Sequence, residues 1–310
     1  MKKISINMLS SADKVAGQGV GSAYLEQVKL VREGGADLFD VYINSRKKCD
    51  IVHCHTIDPI NFIRMKKGKH VNVCYVHFLP DTLNGSIQLY GIPREKMVYI
   101  PNYVSKQDFY KKSQSERAAL RKKYEIDEAA FVVIGVGQVQ MRKGVLDFIE
   151  VAKQLPDIQF VWCGGFSFGK ITDGYEELKK VVENPPANVK FLGIIPREEM
   201  NDLYNVSDVL FMPSYNELFP MAILEAVNLH VPLVLRDLDL YRDILFEKYE
   251  RANDNAGFVQ AIKRLYEEPQ VYEAKALQSK EISEYYCKEN VLKIWREFYS
   301  GIYKRFVNKG

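Results

Sequence analysis

The sequence predicts an α/β chain made of two parallel-sheet domains in series. Short apolar runs alternate with longer stretches of helical period, the pattern of strands joined by crossover helices. The pattern starts twice, once at Ile4 and again at Phe131. Many of the apolar runs end in glycine, histidine or other polar residues, and in open parallel sheets ligands sit beyond the carboxyl ends of the strands.

Taken in order, Ile4–Leu9 reads as a first buried strand, running through a small-residue loop, 10–21, into a helix over Ser22–Arg32. Asp50–His55, Val71–His77 and Val98–Ile100 read as further strands. A charged helix over Ser115–Tyr124 separates the two units. Strands then follow at Phe131–Gly137, Gln159–Cys163, Val189–Leu192, Val209–Met212 and Pro232–Leu235. Helices are expected at Val145–Gln154, Glu198–Val206 and Pro220–Asn228. A last helix, Glu289–Phe306, carries Trp295, Phe298, Tyr299, Ile302, Tyr303 and Phe306 at steps of three and four, a stripe to be buried against a domain. The expected division is 1–104, 105–285, and a terminal helix in 286–310 packing back on the first domain.

Composition sets limits. With 47% hydrophobic and 27% charged residues in 310, the chain is an ordinary globular one. Its five cysteines form no Cys-x-x-Cys pair, so neither a disulfide framework nor a zinc site is expected. The amino terminus is too polar for a signal peptide, and no run approaches a membrane span. Both point to a cytoplasmic protein. The net charge of +3 divides into +9 over residues 1–125 and −6 over the rest. Arg46-Lys47-Lys48, the Lys66–Lys69 run and Arg121-Lys122-Lys123 lie in the basic part, which suggests a face for an anionic surface. No nucleic-acid reading motif accompanies it.

The most informative stretch runs from Pro213 to Ala226. A strand ends, a polar turn with Glu217 follows, and a helix opens at Phe219-Pro220. Amides of a first helical turn attract phosphate or sugar oxygens. Glu225 lies further into that helix; a carboxylate only accepts hydrogen bonds, and a vicinal diol such as a ribose offers two donors. Upstream, Gly135 to Gly144 follows a strand and contains Gln138, Arg142 and Lys143, a glycine-rich approach with two cations suited to a diphosphate. Gly164-Gly165 ends the next strand. Gly17-Gln-Gly19-Val-Gly21 in the first domain is not Gly-x-Gly-x-x-Gly, so the dinucleotide fingerprint fails. His53, His55 and His77 end strands. Asp237-Leu-Asp239 resembles a metal–diphosphate motif, but Arg142 and Lys143 already supply positive charge.

Glu217 and Glu225, seven residues between them in the frame strand–turn–Phe-Pro–helix, resemble the signature of retaining GT-B glycosyltransferases of family 4. The resemblance implies two Rossmann-like domains facing a cleft. It implies that Arg142 and Lys143 hold the donor diphosphate, that Glu217 reaches a sugar hydroxyl, and that His77 shapes the reacting centre. It also implies that Gly19, Gln138, Gly164 and Gly165 approach the donor, with Leu218, Phe219, Pro220, Met221 and Glu225 around its nucleotide. His77 departs from the commoner pattern, since Phe78 follows it rather than Asp or Asn. No metal or other cofactor is implied.

Longer phrases, among them Tyr75-Val-His-Phe-Leu-Pro, Gly91-Ile-Pro-Arg-Glu-Lys and Ser214-Tyr-Asn-Glu-Leu-Phe-Pro-Met, resemble the Gram-positive α-galactosylglucosyl-diacylglycerol synthase group. That implies UDP-galactose or UDP-glucose as donor, a glucosyl-diacylglycerol acceptor, and a peripheral position on the inner membrane face. Relatives carry some tens of extra residues before Gly91-Ile-Pro, where Leu89 here runs directly into Tyr90. The chain is either a shortened variant or lacks a segment; the second reading is favoured, because deleting a sheet element would expose core.

Overall fold

The computed structural model describes residues 2–11, 19–56, 59–66, 68–75, 93–217 and 220–308. The chain divides into two compact units, one of Met1–Tyr103 with Tyr286–Gly310 and the other of Val104–Tyr285.

The first unit starts with β1 (Ile4–Leu9), α1 (Gly19–Gly34), β2 (Phe39–Ile43), β3 (Ile51–Cys54), α2 (Pro59–Lys66) and β4 (Val71–Cys74). Its sheet is parallel, in the order β2-β1-β3-β4. Two expectations change here. Phe39–Ile43 is an edge strand that the sequence reading passed over. Val98–Ile100 is not a strand: Val98 and Tyr99 are 57% and 60% exposed, and no neighbouring strand pairs with them among the described residues.

The second unit contains α3 (Gln114–Lys123), β5 (Val132–Val136), α4 (Val145–Gln154), β6 (Gln159–Cys163), α5 (Tyr175–Glu183), β7 (Val189–Gly193), α6 (Arg197–Val206) and β8 (Val209–Met212). It continues through α7 (Met221–Asn228), β9 (Leu233–Arg236), α8 (Asp239–Leu245), β10 (Glu250–Ala252), α9 (Asn255–Glu267) and α10 (Pro269–Tyr285). The parallel sheet runs β10-β9-β8-β5-β6-β7, so the chain winds outward in one direction from β5 and in the other from β8. Its inner strands β5, β6, β8 and β9 are buried on both faces, which is why they read as largely apolar runs. Phe148, Phe160, Trp162, Phe211 and Phe258 pack into one core.

Part of the basic excess is turned inward in this unit. Arg121, 8% exposed, donates to the carbonyls of Val206, Glu128 and Ala130 and pairs with Asp208 at 2.8 Å. It ties α3 to the segment before β8 and presents no charge to a partner, contrary to the reading of Arg121-Lys122-Lys123 as a surface cluster. Lys112 pairs with Asp202 on α6.

The chain then returns to the first unit as α11 (Lys288–Val307). Leu292 approaches Gly34 at the end of α1 so closely that a Cβ there would lie 2.4 Å from its Cδ2. Arg296 donates to both carboxylate oxygens of Asp37, at 2.7 and 2.6 Å. Trp295 and Tyr299 are buried with ring centroids 5.2 Å apart, and Tyr299 meets Phe39 edge-on at 5.6 Å. The Tyr299 hydroxyl lies 2.7 Å from His53 Nδ1 and accepts from Gln27 at 3.0 Å. The aromatic stripe is therefore core along its first half, whereas Phe306 is 39% exposed. His53 and His55 are buried among these rings, His55 stacked on Tyr75 at 5.3 Å.

Candidate active site

The strand order of the second unit reverses between β5 and β8, and such a switch point leaves room for a ligand beyond the strand ends. The segments that follow β5, β6 and β8 meet there, and glycines let them do so. At the end of β5 the Gly137 amide donates to the Cys163 carbonyl, and the Gly137 carbonyl accepts from the Trp162 indole at 3.0 Å. Beside it, Gly164 has φ +144°, and a Cβ would lie 1.8 Å from the Gly137 oxygen. No side chain fits at Gly164. Gln138 is half-buried between this contact and Val139, whose amide donates to the Gly165 carbonyl at 2.9 Å.

Next, Met141–Lys143 forms a 3-10 turn that ends at Gly144 in the left-handed region, φ +69°. A Cβ on Gly144 would lie 2.4 Å from the Pro213 carbonyl, so the turn sits directly against the end of β8. The Tyr215 amide donates to the Arg142 carbonyl across the same junction.

This geometry brings Lys143 and Glu217 together. Lys143 is buried, its stem lies over Gly137, and its ammonium forms an ion pair with Glu217 Oε1. The side chains are 11% and 7% exposed. Arg142 is exposed, its guanidinium directed at the Asn216 carbonyl at 3.4 Å. Burial, and then the neighbouring charge of Glu217, push the Tyr241 phenol well above its ordinary pKa. A buried ammonium, an exposed guanidinium and a carboxylate thus converge on one strand junction, a set that suits a polyanionic leaving group and an adjacent hydroxyl.

Glu225 is held by a second set of contacts. It is buried on α7; Tyr204 donates to its Oε2 at 2.8 Å, and Arg197 Nη1 donates to its Oε1 at 2.5 Å. Burial and then the Glu225 charge push the Tyr204 phenol well above its ordinary range, and the same hydroxyl feels Cys163 at the end of β6. Arg197 and Tyr204 escaped the sequence reading. The available signal is that Arg197 opens a helix just past the carboxyl end of β7, one residue before the expected start at Glu198.

The other expected residues fall as follows. Pro220 is extended, with ψ 134°, and caps α7, so the helix starts at Met221 and not at Phe219-Pro220 as expected. Met221 is 6% exposed. Gly19 is the first residue of α1. His77, Leu218 and Phe219 lie outside the described residues. In the Asp237-Leu-Asp239 motif, Asp237 is engaged by Arg242 through hydrogen bonds of 3.1 and 2.7 Å, while Asp239 points to solvent.

Comparison with known proteins places this site in context. Residues 116–282, which hold the whole junction, match the family described as glycosyl transferases group 1. The α-galactosylglucosyldiacylglycerol synthase of Streptococcus pneumoniae is 42% identical over 335 aligned residues, covering 96% of this chain and 90% of that protein. The alignment is longer than the chain, so the relative carries residues that this chain lacks. A processive diacylglycerol α-glucosyltransferase of Acholeplasma laidlawii is 33% identical over 53% of this chain and 49% of its own length. Among solved structures, Anabaena HepE with UDP-glucose superposes with a TM-score of 0.78 at 17% identity, covering 96% of this chain and all of that one. Sucrose-phosphate synthase of Thermosynechococcus elongatus gives 0.77 at 14% identity, covering 98% and 100%. The chain therefore belongs to the group 1 glycosyl transferases and is a glycosyltransferase of the GT-B fold.

Proposed function

We propose that the chain transfers a hexose, galactose or glucose, from a UDP-sugar to a glucosyl-diacylglycerol acceptor at the cytoplasmic face of a membrane, with retention of the α configuration. The observation that carries the transfer chemistry is the convergence of Arg142, Lys143 and Glu217 at the β5/β8 switch point. In this reading the two cations hold the diphosphate and stabilise it as it leaves. Glu217 orients Lys143 and accepts from a donor-sugar hydroxyl, and Glu225 accepts from the ribose. The charge neutralisation needed at the diphosphate comes from these side chains, so no metal is required.

The lipid acceptor is supported by the name of the pneumococcal relative and by the outer face of α2. Ile60, Phe62 and Ile63 are 64%, 48% and 50% exposed, and Lys66 lies 4.6 Å over the Phe62 ring. Arg64 and Lys69 flank them, while Asn61 is buried and Met65 packs on Leu9, Val52 and Cys54. Apolar residues ringed by cations favour an anionic bilayer surface. Among the described residues no helix is long and apolar enough to cross a membrane.

The test is an assay of the full chain with UDP-glucose and UDP-galactose against glucosyl-diacylglycerol in anionic vesicles, with and without EDTA. The expected product is an α-linked dihexosyl lipid, formed equally in EDTA. Transfer only to soluble glycans would overturn the acceptor, and loss of turnover in EDTA would overturn the metal-free chemistry. Vesicle binding should weaken in high salt and in a Phe62→Ser, Ile63→Ser variant.

A further inference from the structure

Resting on the reading of Glu225 as the ribose acceptor, we propose that Arg197 and Tyr204 are positioning residues that set the donor site's preference for ribonucleotides over 2′-deoxyribonucleotides.

Two donors from one helix, α6, clamp the carboxylate. Arg197, at the start of α6, donates to Glu225 Oε1, and Tyr204, near the end of the same helix, donates to Oε2. The Arg197 guanidinium is itself placed 5.0 Å over the Phe109 ring, which meets Tyr204 edge-on at 6.0 Å. Phe109 is 1% and Tyr204 0% exposed, so the support beneath the carboxylate is fixed by packing. The Arg197 side chain is 30% exposed.

An ionised carboxylate has about four acceptor positions, two on each oxygen. The clamp uses one on each oxygen and leaves one on each. Two remaining acceptors on one rigid group match the two hydroxyls of a vicinal diol. A 2′-deoxyribose supplies a single donor and leaves the other acceptor unmatched in a buried place. The discrimination depends on the carboxylate staying put. A freely rotating Glu225 would turn its second oxygen to water and lose little when the 2′-hydroxyl is missing.

The experiment measures binding of UDP and 2′-deoxy-UDP to the full chain by calorimetry, in the wild type and in Arg197→Gln, Tyr204→Phe and Glu225→Gln. Thermal midpoints are read alongside. The wild type is expected to favour UDP by about tenfold, the size of one hydrogen bond to a charged group. Arg197→Gln and Tyr204→Phe should each shrink that ratio severalfold while UDP still binds, and Glu225→Gln should bring it near one. An unchanged or larger ratio in both positioning variants, with the ratio lost in Glu225→Gln, overturns the inference and leaves the ribose reading standing. An unchanged ratio in Glu225→Gln overturns the ribose reading and the inference with it. Should one positioning variant fail to fold, the other decides, because they act on opposite oxygens from opposite ends of α6.

Discussion

Lys143 and Glu217, 74 residues apart in sequence, form a nearly buried ion pair across the point where the strand order of the second unit reverses. The pair joins the loop after β5 to the loop after β8. It gives the residues a structural role beside the chemical one proposed for them, and the two are separable.

Lys143→Ala should lower turnover by on the order of 10²–10³, the loss seen when a charge-stabilising donor is removed. It should also destabilise the unit by about 3–5 kcal/mol, because Glu217 is left buried without its counter-charge. The double variant Lys143→Ala, Glu217→Ala should regain much of the stability and none of the turnover. Arg142→Ala, at an exposed position, should lose turnover with its melting temperature unchanged. Steady-state kinetics and calorimetric melting check all three.

Gly164→Ala should destabilise the second unit by at least about 2 kcal/mol, since it forces a side chain into a strained φ. The Gly137 carbonyl stands in the way as well, so any relief moves the ends of β5 and β6 apart. Nucleotide affinity should fall with stability. Urea unfolding and UDP titration of the same sample test the link.

His230 should make the second unit acid-sensitive. Its pKa is lowered from the ordinary 6.5, first by burial and then by Lys111, Lys280 and Lys106, with Glu284 opposing them. The folded form therefore binds fewer protons than the unfolded chain below about pH 6.5. The resulting stability is fully present above that pH and is lost as pH falls through 6.5 toward the lowered value. His230 has φ +62°, a conformation that asparagine tolerates. His230→Asn should flatten the stability profile between pH 7 and 5 without loss at pH 7.

Trp295→Ala should destabilise the first unit by about 3–5 kcal/mol, the range for deleting a buried aromatic. Tyr299→Phe should cost less, since it removes one hydroxyl from between His53 and Gln27 and keeps the ring. Exchange protection of the α11 amides would report both.

Much of the second unit was legible before any coordinates. The runs at Gln159–Cys163 and Val209–Met212 are strands at those very limits, and Val145–Gln154 is a helix. Each element is bounded locally, by glycine or by a change of hydrophobic period. The first unit was harder to read. The β2 edge strand alternates its burial, Phe39 inward and Asp40 outward, and so lacks a continuous apolar run. Val98–Ile100 has the composition of a strand but pairs with no strand among the described residues, and composition alone cannot supply that pairing. Helix α5 is also absent from the sequence reading, its apolar residues outnumbered by charged ones, and so are α8, β10, α9 and α10, which follow β9.

The candidate site divides the same way. Glycines at 137, 144 and 164, the Arg142-Lys143 pair and the Glu217/Glu225 spacing are properties of short segments, because backbone conformation and residue chemistry are local. Which of them touch is not. Strand order sets β5 beside β8, and only that neighbourhood turns Lys143 toward Glu217. Packing of α6 against α7 hands Glu225 to Arg197 and Tyr204, and packing of α3 draws Arg121 inside. Local pattern thus settles what each segment is and what it carries, whereas long-range burial, which rewards contacts regardless of separation along the chain, selects the partners.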